Sequence, residues 1–213
     1  MGGNIVKFGE PTEPRFEFRT FGHNFTNYHE EMAKLSIPVP NDYRIRIFDE
    51  IYILSKNIHD INVKIRSNLL DVKKLILINN NLEQWDTIIK YDFPVTTDLM
   101  LEEIFPMLST DMKIINKHKL SKKQFISIVK QSKDLLVIPI HKKRQGYIVN
   151  NTICEFAELV IGNGNLCTVS VESTNANDVM KTINMLKLDS YENINYIQAI
   201  KRITGIIQKP FAN

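Results

Sequence analysis

Charged residues recur at every second position in several stretches of this chain. Arg15, Glu17 and Arg19 alternate with Phe16 and Phe18, Lys64 and Arg66 flank Ile65, Asp71 and Lys73 flank Val72, and Lys142 and Arg144 flank Lys143. A period of two puts each set on one face of an extended strand. Thr168, Ser170 and Glu172 form a further same-face set, and Glu155 shares a face with Ala157. Arginine offers phosphate a planar fork of donors and lysine a compact charge. Carboxylates suit a hard divalent cation. The chemistry within reach of such residues is the holding of a polyanion together with a metal ion.

Two arrangements explain the pattern. In one, the charged faces point to water and the apolar faces meet beneath a layer of helices. In the other, the sheet curls, the charged faces line a tunnel and the apolar faces pack outward against helices. Like charges repel strongly when buried, so a tunnel of this kind needs a polyanion or metal to neutralise it. A triphosphate fits that need, with Arg and Lys on its oxygens and carboxylates on a divalent ion.

The elements that must position these residues follow from the same periodicities. Strands are expected at Arg15 to Arg19, Tyr43 to Ser55, Ile61 to Arg66, Leu70 to Lys73, Trp85 to Phe93, Leu136 to Val149, Ile153 to Ile161 and Leu166 to Ser173. Gly162, Asn163, Gly164 and Asn165 read as the hairpin loop between the last two. Helices are expected at Asn27 to Leu35 and at Asp98 to Leu108, the latter interrupted or ended near Pro106. Ser121 and Gln124 have capping-box spacing ahead of Phe125, Ile128 and Val129. Val179, Ile183 and Leu186 recur at helical spacing, as do Tyr196, Ile200 and Ile203. No internal repeat or low-complexity linker divides residues 1–213, so the expectation is one α+β domain, an antiparallel barrel of about eight strands with peripheral helices.

Composition sets the outer bounds. The 213 residues are 43% hydrophobic and 24% charged, enough for a core without disulfides. Lys and Arg number 27 against 24 Asp and Glu, and a net charge of +3 does not announce a nucleic-acid binder. No apolar run approaches the roughly 20 residues of a membrane span. The start, Met1 to Asn4, lacks the regions of a signal peptide. A reduced cytoplasmic protein is expected, with Cys154 and Cys167 as buried small hydrophobes. The five histidines show no HExxH or paired spacing, and the Gly162–Gly164 segment is followed by no P-loop lysine. Trp85 reads as a packing anchor.

The order and content of the strands resemble the CYTH group of the triphosphate tunnel metalloenzyme superfamily, which includes tripolyphosphatases, thiamine triphosphatases and class IV adenylate cyclases and is related to RNA triphosphatases. Arg15 to Arg19 stands where that group carries Glu-x-Glu-x-Lys. Lys64 with Arg66, then Asp71 with Lys73, look like its basic strands, Lys142 with Arg144 like its later Lys-x-Arg strand, and Thr168 to Glu172 like the closing acidic strand. Asn193 to Gly205 resembles the terminal helix. The resemblance implies a metal-dependent phosphohydrolase acting on a linear triphosphate, with Mg²⁺ or Mn²⁺ as cofactor. Glu17, Glu172 and Arg144 would be catalytic; Arg15, Arg19, Lys64, Arg66, Lys73, Lys142 and Arg144 would bind substrate; Glu17, Glu172 and Glu155 would hold the metal. Three departures bear on it: Arg15 replaces the first glutamate of the hallmark, Arg19 its lysine, and Ser170 the first acid of the closing pair. A degenerate tunnel that binds polyphosphate or nucleotide without cutting it, a cyclase and an RNA 5′-triphosphatase are the alternatives.

Overall fold

The computed structural model describes residues 13–113 and 118–211; the expectation for Met1 to Asn4 lies outside them. The described residues form ten strands: β1 (Arg15–Gly22), β2 (Ile45–Ser55), β3 (Ile61–Arg66), β4 (Leu69–Asn79), β5 (Leu82–Asp92), β6 (Val95–Thr96), β7 (Lys119–Leu120), β8 (Leu135–Val149), β9 (Thr152–Ile161) and β10 (Gly164–Ser173). Eight of them close into an antiparallel barrel in the order β1-β10-β9-β8-β2-β3-β4-β5, while β6 and β7 form a small separate ribbon. Closure removes exposed sheet edges.

Tight turns set the hairpin registers. Asn80 and Asn81 between β4 and β5, and Asn150 and Asn151 between β8 and β9, all have positive φ. That is the left-handed pair a two-residue type I′ turn requires, and asparagine tolerates it. The loop between β9 and β10 is shorter than its composition suggests. Gly162 takes a φ of 60°, and Gly164 already belongs to β10.

The helices are α1 (Thr26–Leu35), α2 (Asn41–Arg44), α3 (Phe105–Met107), α4 (Lys122–Val129), α5 (Ala176–Met185) and α6 (Tyr196–Ile203). Ser121 caps α4 through the expected capping box with Gln124. Further details differ from the sequence expectation. Tyr43 and Arg44 form the single turn α2 instead of starting the strand. The segment expected as Asp98 to Leu108 is a π-helix at Leu99–Ile104 that continues into α3 and stops at Met107, just after Pro106, whose missing N–H and ring disfavour a longer helix. Strand β4 runs on past Lys73 to Asn79 through a register shift near Leu75, which breaks the alternation that sequence reading relies on.

Apolar side chains lie mostly on the outside of the barrel wall. Phe18, Cys154, Phe156, Val169 and Val171 pack with Met32 of α1 and Val179 and Ile183 of α5. Val63, Ile65, Leu70 and Val72 pack with Ile104, Phe105 and Phe125 around α3 and α4. A third cluster joins Phe21, Tyr52, Leu54, Leu159 and Ile161 of the wall to Tyr196, Ile197, Ala199 and Ile200. Helix α6 thus seals one end of the barrel. Among the described residues, no helix is long and apolar enough to cross a membrane.

Candidate functional site: a charged barrel interior

With the apolar faces turned outward, the alternate residues point in, and the tunnel arrangement is the one the chain adopts. From β1 come Arg15, Glu17 and Arg19. Strand β3 supplies Lys64 and Arg66, β4 Asp71 and Lys73, β8 Lys142 and Arg144, β9 Glu155, and β10 Ser170 and Glu172. Exposure falls along the axis. The side chains of Arg66 and Glu172 are 34% and 28% accessible near the open end, against 10% for Arg19 and 7% for Lys142 deeper in.

Glu155 is the centre of this interior. Lys142 Nζ donates to its Oε1 at 2.8 Å and Arg19 Nη1 at 3.1 Å, while Arg144 Nε forms an ion pair with Oε2 off the hydrogen-bonding line. Burial by itself would raise the Glu155 pKa, but Lys142, Arg144 and Arg19 hold it well below the usual carboxylate range. Lys142 is shifted down by its burial, with Arg19 and Arg144 adding to that and Glu155 opposing it. Three cations on one carboxylate is the arrangement that a phosphoryl group, with more oxygens and more charge, would also satisfy.

A second anionic centre was not among the residues singled out from the sequence. Glu50 of β2 is 2% exposed, lies 3.5 Å from Lys64 Nζ and 3.8 Å from Arg66 Nη1, and accepts from the Tyr52 hydroxyl at 3.2 Å. Burial would raise its pKa, but Lys64, Lys142 and Arg66 bring it below the ordinary value. Asp71 lies 3.8 Å from Lys64. Arg46, also of β2, stands directly opposite Arg144 in the β2–β8 register, with its guanidinium over the rings of Tyr43 and Phe48 at 5.8 and 5.9 Å.

The carboxylates named as metal candidates fall into two groups. Glu17 faces Glu172 across β1 and β10, and it faces Glu83 across β1 and β5. Glu155 belongs instead to the cation cluster. Glu17 accepts from Arg19 Nε at 2.6 Å and Glu172 from Arg15 Nη1 at 3.2 Å. Glu83 accepts from Asn195 and from the Trp85 indole; burial pushes its pKa up, as does Glu17 opposite, against the pull of those two bonds. Among the described residues, no group of three or more His, Cys, Asp or Glu side chains is placed to hold a metal ion. The pair Glu17 and Glu172 fits a divalent ion as a partial set, since Mg²⁺ is commonly held by one or two carboxylates with substrate phosphates and water. Glu158, on the outer face, pairs with Lys143. Cys154 and Cys167 are free thiols, and burial pushes Cys154 up to about 12.

Hollows of about 520 and 400 Å³ lie on the outside, one lined by Phe105 and Met112, the other by His141 and Glu158. None of the inward-facing charges lines either.

No protein-family model matches the chain, and no curated protein matches it. Solved structures of similar chain path include a candidate adenylyl cyclase of Hippeastrum described as having a dominant triphosphatase activity, at 11% identity over 90% of this chain and 96% of that one, with a TM-score of 0.48. A candidate adenylate cyclase of Bacillus halodurans is similar at 12% identity over 86% and 95%, with a TM-score of 0.46. The mimivirus capping-enzyme triphosphatase is similar at 10% identity over 82% and 89%, with a TM-score of 0.43. At such identities these are likenesses of chain path, and they assign this chain no activity.

Proposed function

We propose that the barrel interior binds a linear triphosphate and that the protein is a divalent-metal-dependent triphosphohydrolase. The supporting observation is the convergence of Arg19, Lys142 and Arg144 on Glu155, deep in an interior whose other cations, Arg46 among them, line the way in. Basic side chains concentrated at low dielectric are costly unless an anion accompanies them. A triphosphate supplies that charge in linear form.

In this reading Arg15, Arg19, Lys64, Arg66, Lys73, Lys142 and Arg144 grip the phosphate oxygens, and Arg144 neutralises charge that grows as the bond breaks. Glu17 and Glu172 would hold Mg²⁺ or Mn²⁺, which when bound supplies charge neutralisation at the phosphoryl oxygens. Water attacks the terminal phosphorus, the bond to the bridging oxygen breaks, and orthophosphate leaves with a diphosphate, the water's proton passing to solvent. Burial of Lys142 and Glu155 keeps bulk water from competing for the phosphate.

A second reading has its own observation. Arg15 occupies a position where an acid would serve a metal, and it is paired with Glu172, while Arg19 ties up Glu17. Both carboxylates are thus already neutralised, as suits a polyphosphate-binding protein that does not cut. One experiment separates the two. Tripolyphosphate, ATP and thiamine triphosphate are incubated with the protein in Mg²⁺ and in Mn²⁺, and phosphate and cyclic nucleotide are measured beside thermal stability. Metal-dependent phosphate release supports the hydrolase. Stabilisation without product supports the binding protein, cyclic AMP with pyrophosphate would indicate a cyclase, and neither stabilisation nor product sinks all three.

A further inference from the structure

Tyr196 opens α6 and is the residue by which that helix reaches into the charged interior. Its ring stacks on Tyr52 with centroids 5.3 Å apart and meets Phe21 edge-on at 5.1 Å. Arg19 Cζ lies 4.8 Å and Lys142 Nζ 5.0 Å from its centroid. The residue is 8% exposed, and among the described residues its hydroxyl has no hydrogen-bond partner. These facts pull apart. Every contact the ring makes would be made equally by phenylalanine, while a buried hydroxyl without a partner is destabilising. The packing does not explain the oxygen.

The surroundings say what would. The two cations above the ring are the same Arg19 and Lys142 that converge on Glu155, so the ring lies against the cation cluster, with its hydroxyl in electrostatic reach of Arg19 and Glu155. A phenol there is a neutral donor, and its natural acceptor is an anionic oxygen that arrives with its own charge. Building on the triphosphate reading above, we infer that the Tyr196 hydroxyl donates a hydrogen bond to the innermost phosphoryl group of the bound triphosphate and fixes how deep that group can go. Asn195 positions it: its Oδ1 caps α6 by accepting from Gln198 N at 3.0 Å, and its Nδ2 donates to Glu83 at 2.8 Å, so the first turn of the helix is pinned from both sides.

The test is calorimetric titration of tripolyphosphate, without added metal, into the wild type and Tyr196→Phe, with thermal unfolding of both. The expected result is affinity lower by about tenfold or more in Tyr196→Phe, as for a lost bond to a charged acceptor, with a midpoint equal to or above that of the wild type. A parallel readout needs no substitution: with Cζ-labelled tyrosine, the Tyr196 signal should move as tripolyphosphate is added. Equal affinity in the two proteins, or an unmoved Tyr196 signal while tripolyphosphate binds, overturns the inference and leaves the triphosphate reading standing. Failure of the wild type to bind tripolyphosphate removes both.

Discussion

Arg46 and Arg144 are register partners on adjacent strands of a closed barrel, both turned inward, and Arg144 alone of the two is paired with a carboxylate among the described residues. Directly opposed like charges destabilise a strand pair by up to ~1 kcal/mol. Arg46→Gln should therefore raise the stability of the ligand-free protein by about 0.5 kcal/mol, read from the urea midpoint, and should weaken tripolyphosphate binding. A loss of stability instead would mean that Arg46 is anchored by its stacking on Tyr43 and Phe48 and is no phosphate ligand.

Glu155→Gln leaves Arg19, Lys142 and Arg144 facing one another without their common anion. Removing one partner from a buried charge network costs about 3–5 kcal/mol. The predicted loss appears in phosphate-free buffer and is largely recovered when tripolyphosphate is added, because the ligand's charge takes the place of the carboxylate's. Urea unfolding with and without tripolyphosphate measures this, and a variant that gains no more stabilisation than the wild type would count against the exchange.

Glu172→Gln should lower turnover on the best substrate by about a hundredfold, as removal of a group that acts in the transition state does, while changing affinity far less. Steady-state kinetics in Mn²⁺ give both numbers. Unaltered turnover would remove Glu172 from the mechanism and shift weight to the binding-only reading.

Lys201 of α6 is fully buried, and its Nζ donates to the carbonyls of Lys56 and Ile58 at 3.1 and 2.6 Å. Burial brings its pKa down to about 8. The folded chain then releases this proton near pH 8, whereas the unfolded lysine keeps it until about 10.4. Between those values the unfolded state binds more protons, so this group makes stability rise with pH across that window. Lys201→Met should lack that rise and should be less stable at pH 7 by ~1–3 kcal/mol for the carbonyls left unpaired. Parallel pH series of denaturant midpoints for the two proteins would show it, and parallel curves would refute it.

The depressed carboxylates act at the other end of the pH scale. Glu155 and Glu50 titrate below their ordinary values in the folded state, so the stability they give is complete above the unfolded value near pH 4.3 and is lost as pH falls through the folded ones. Glu155→Gln should flatten the acid limb of the stability curve, measured from pH 6 downward. An acid limb of unchanged steepness would show that other groups govern it.

The period-two pattern located the strands and the sharing of faces, because one face of the wall is bonded to helices and must be apolar. It left the direction open. A charged face turned to water and one turned to a tunnel have the same alternation, and only the packing of Val179, Ile183 and Phe125 against the outside decides between them. Glu50 escaped notice for a local reason: its strand carries Phe48 and Tyr52 on the inner face, so the charges there do not alternate cleanly, and Asp49 beside it points out. Glu83 was hidden at a strand start, two residues before Trp85. The length of β4 was lost at a register shift, where two consecutive lysines and then a run of apolar residues have no single period.

Because α6 closes one end, the barrel is a cup and not a pipe. In the triphosphate reading, whatever enters must leave past Arg46 and Arg144. The inner end of the cup, floored by Tyr196, Tyr52 and Phe21, would then act as a fixed stop, while the outer end would impose no length limit on what trails behind. Such a vessel measures its contents from one end only. In the triphosphate reading it would be strict about the group that goes in first and tolerant of the group that stays outside.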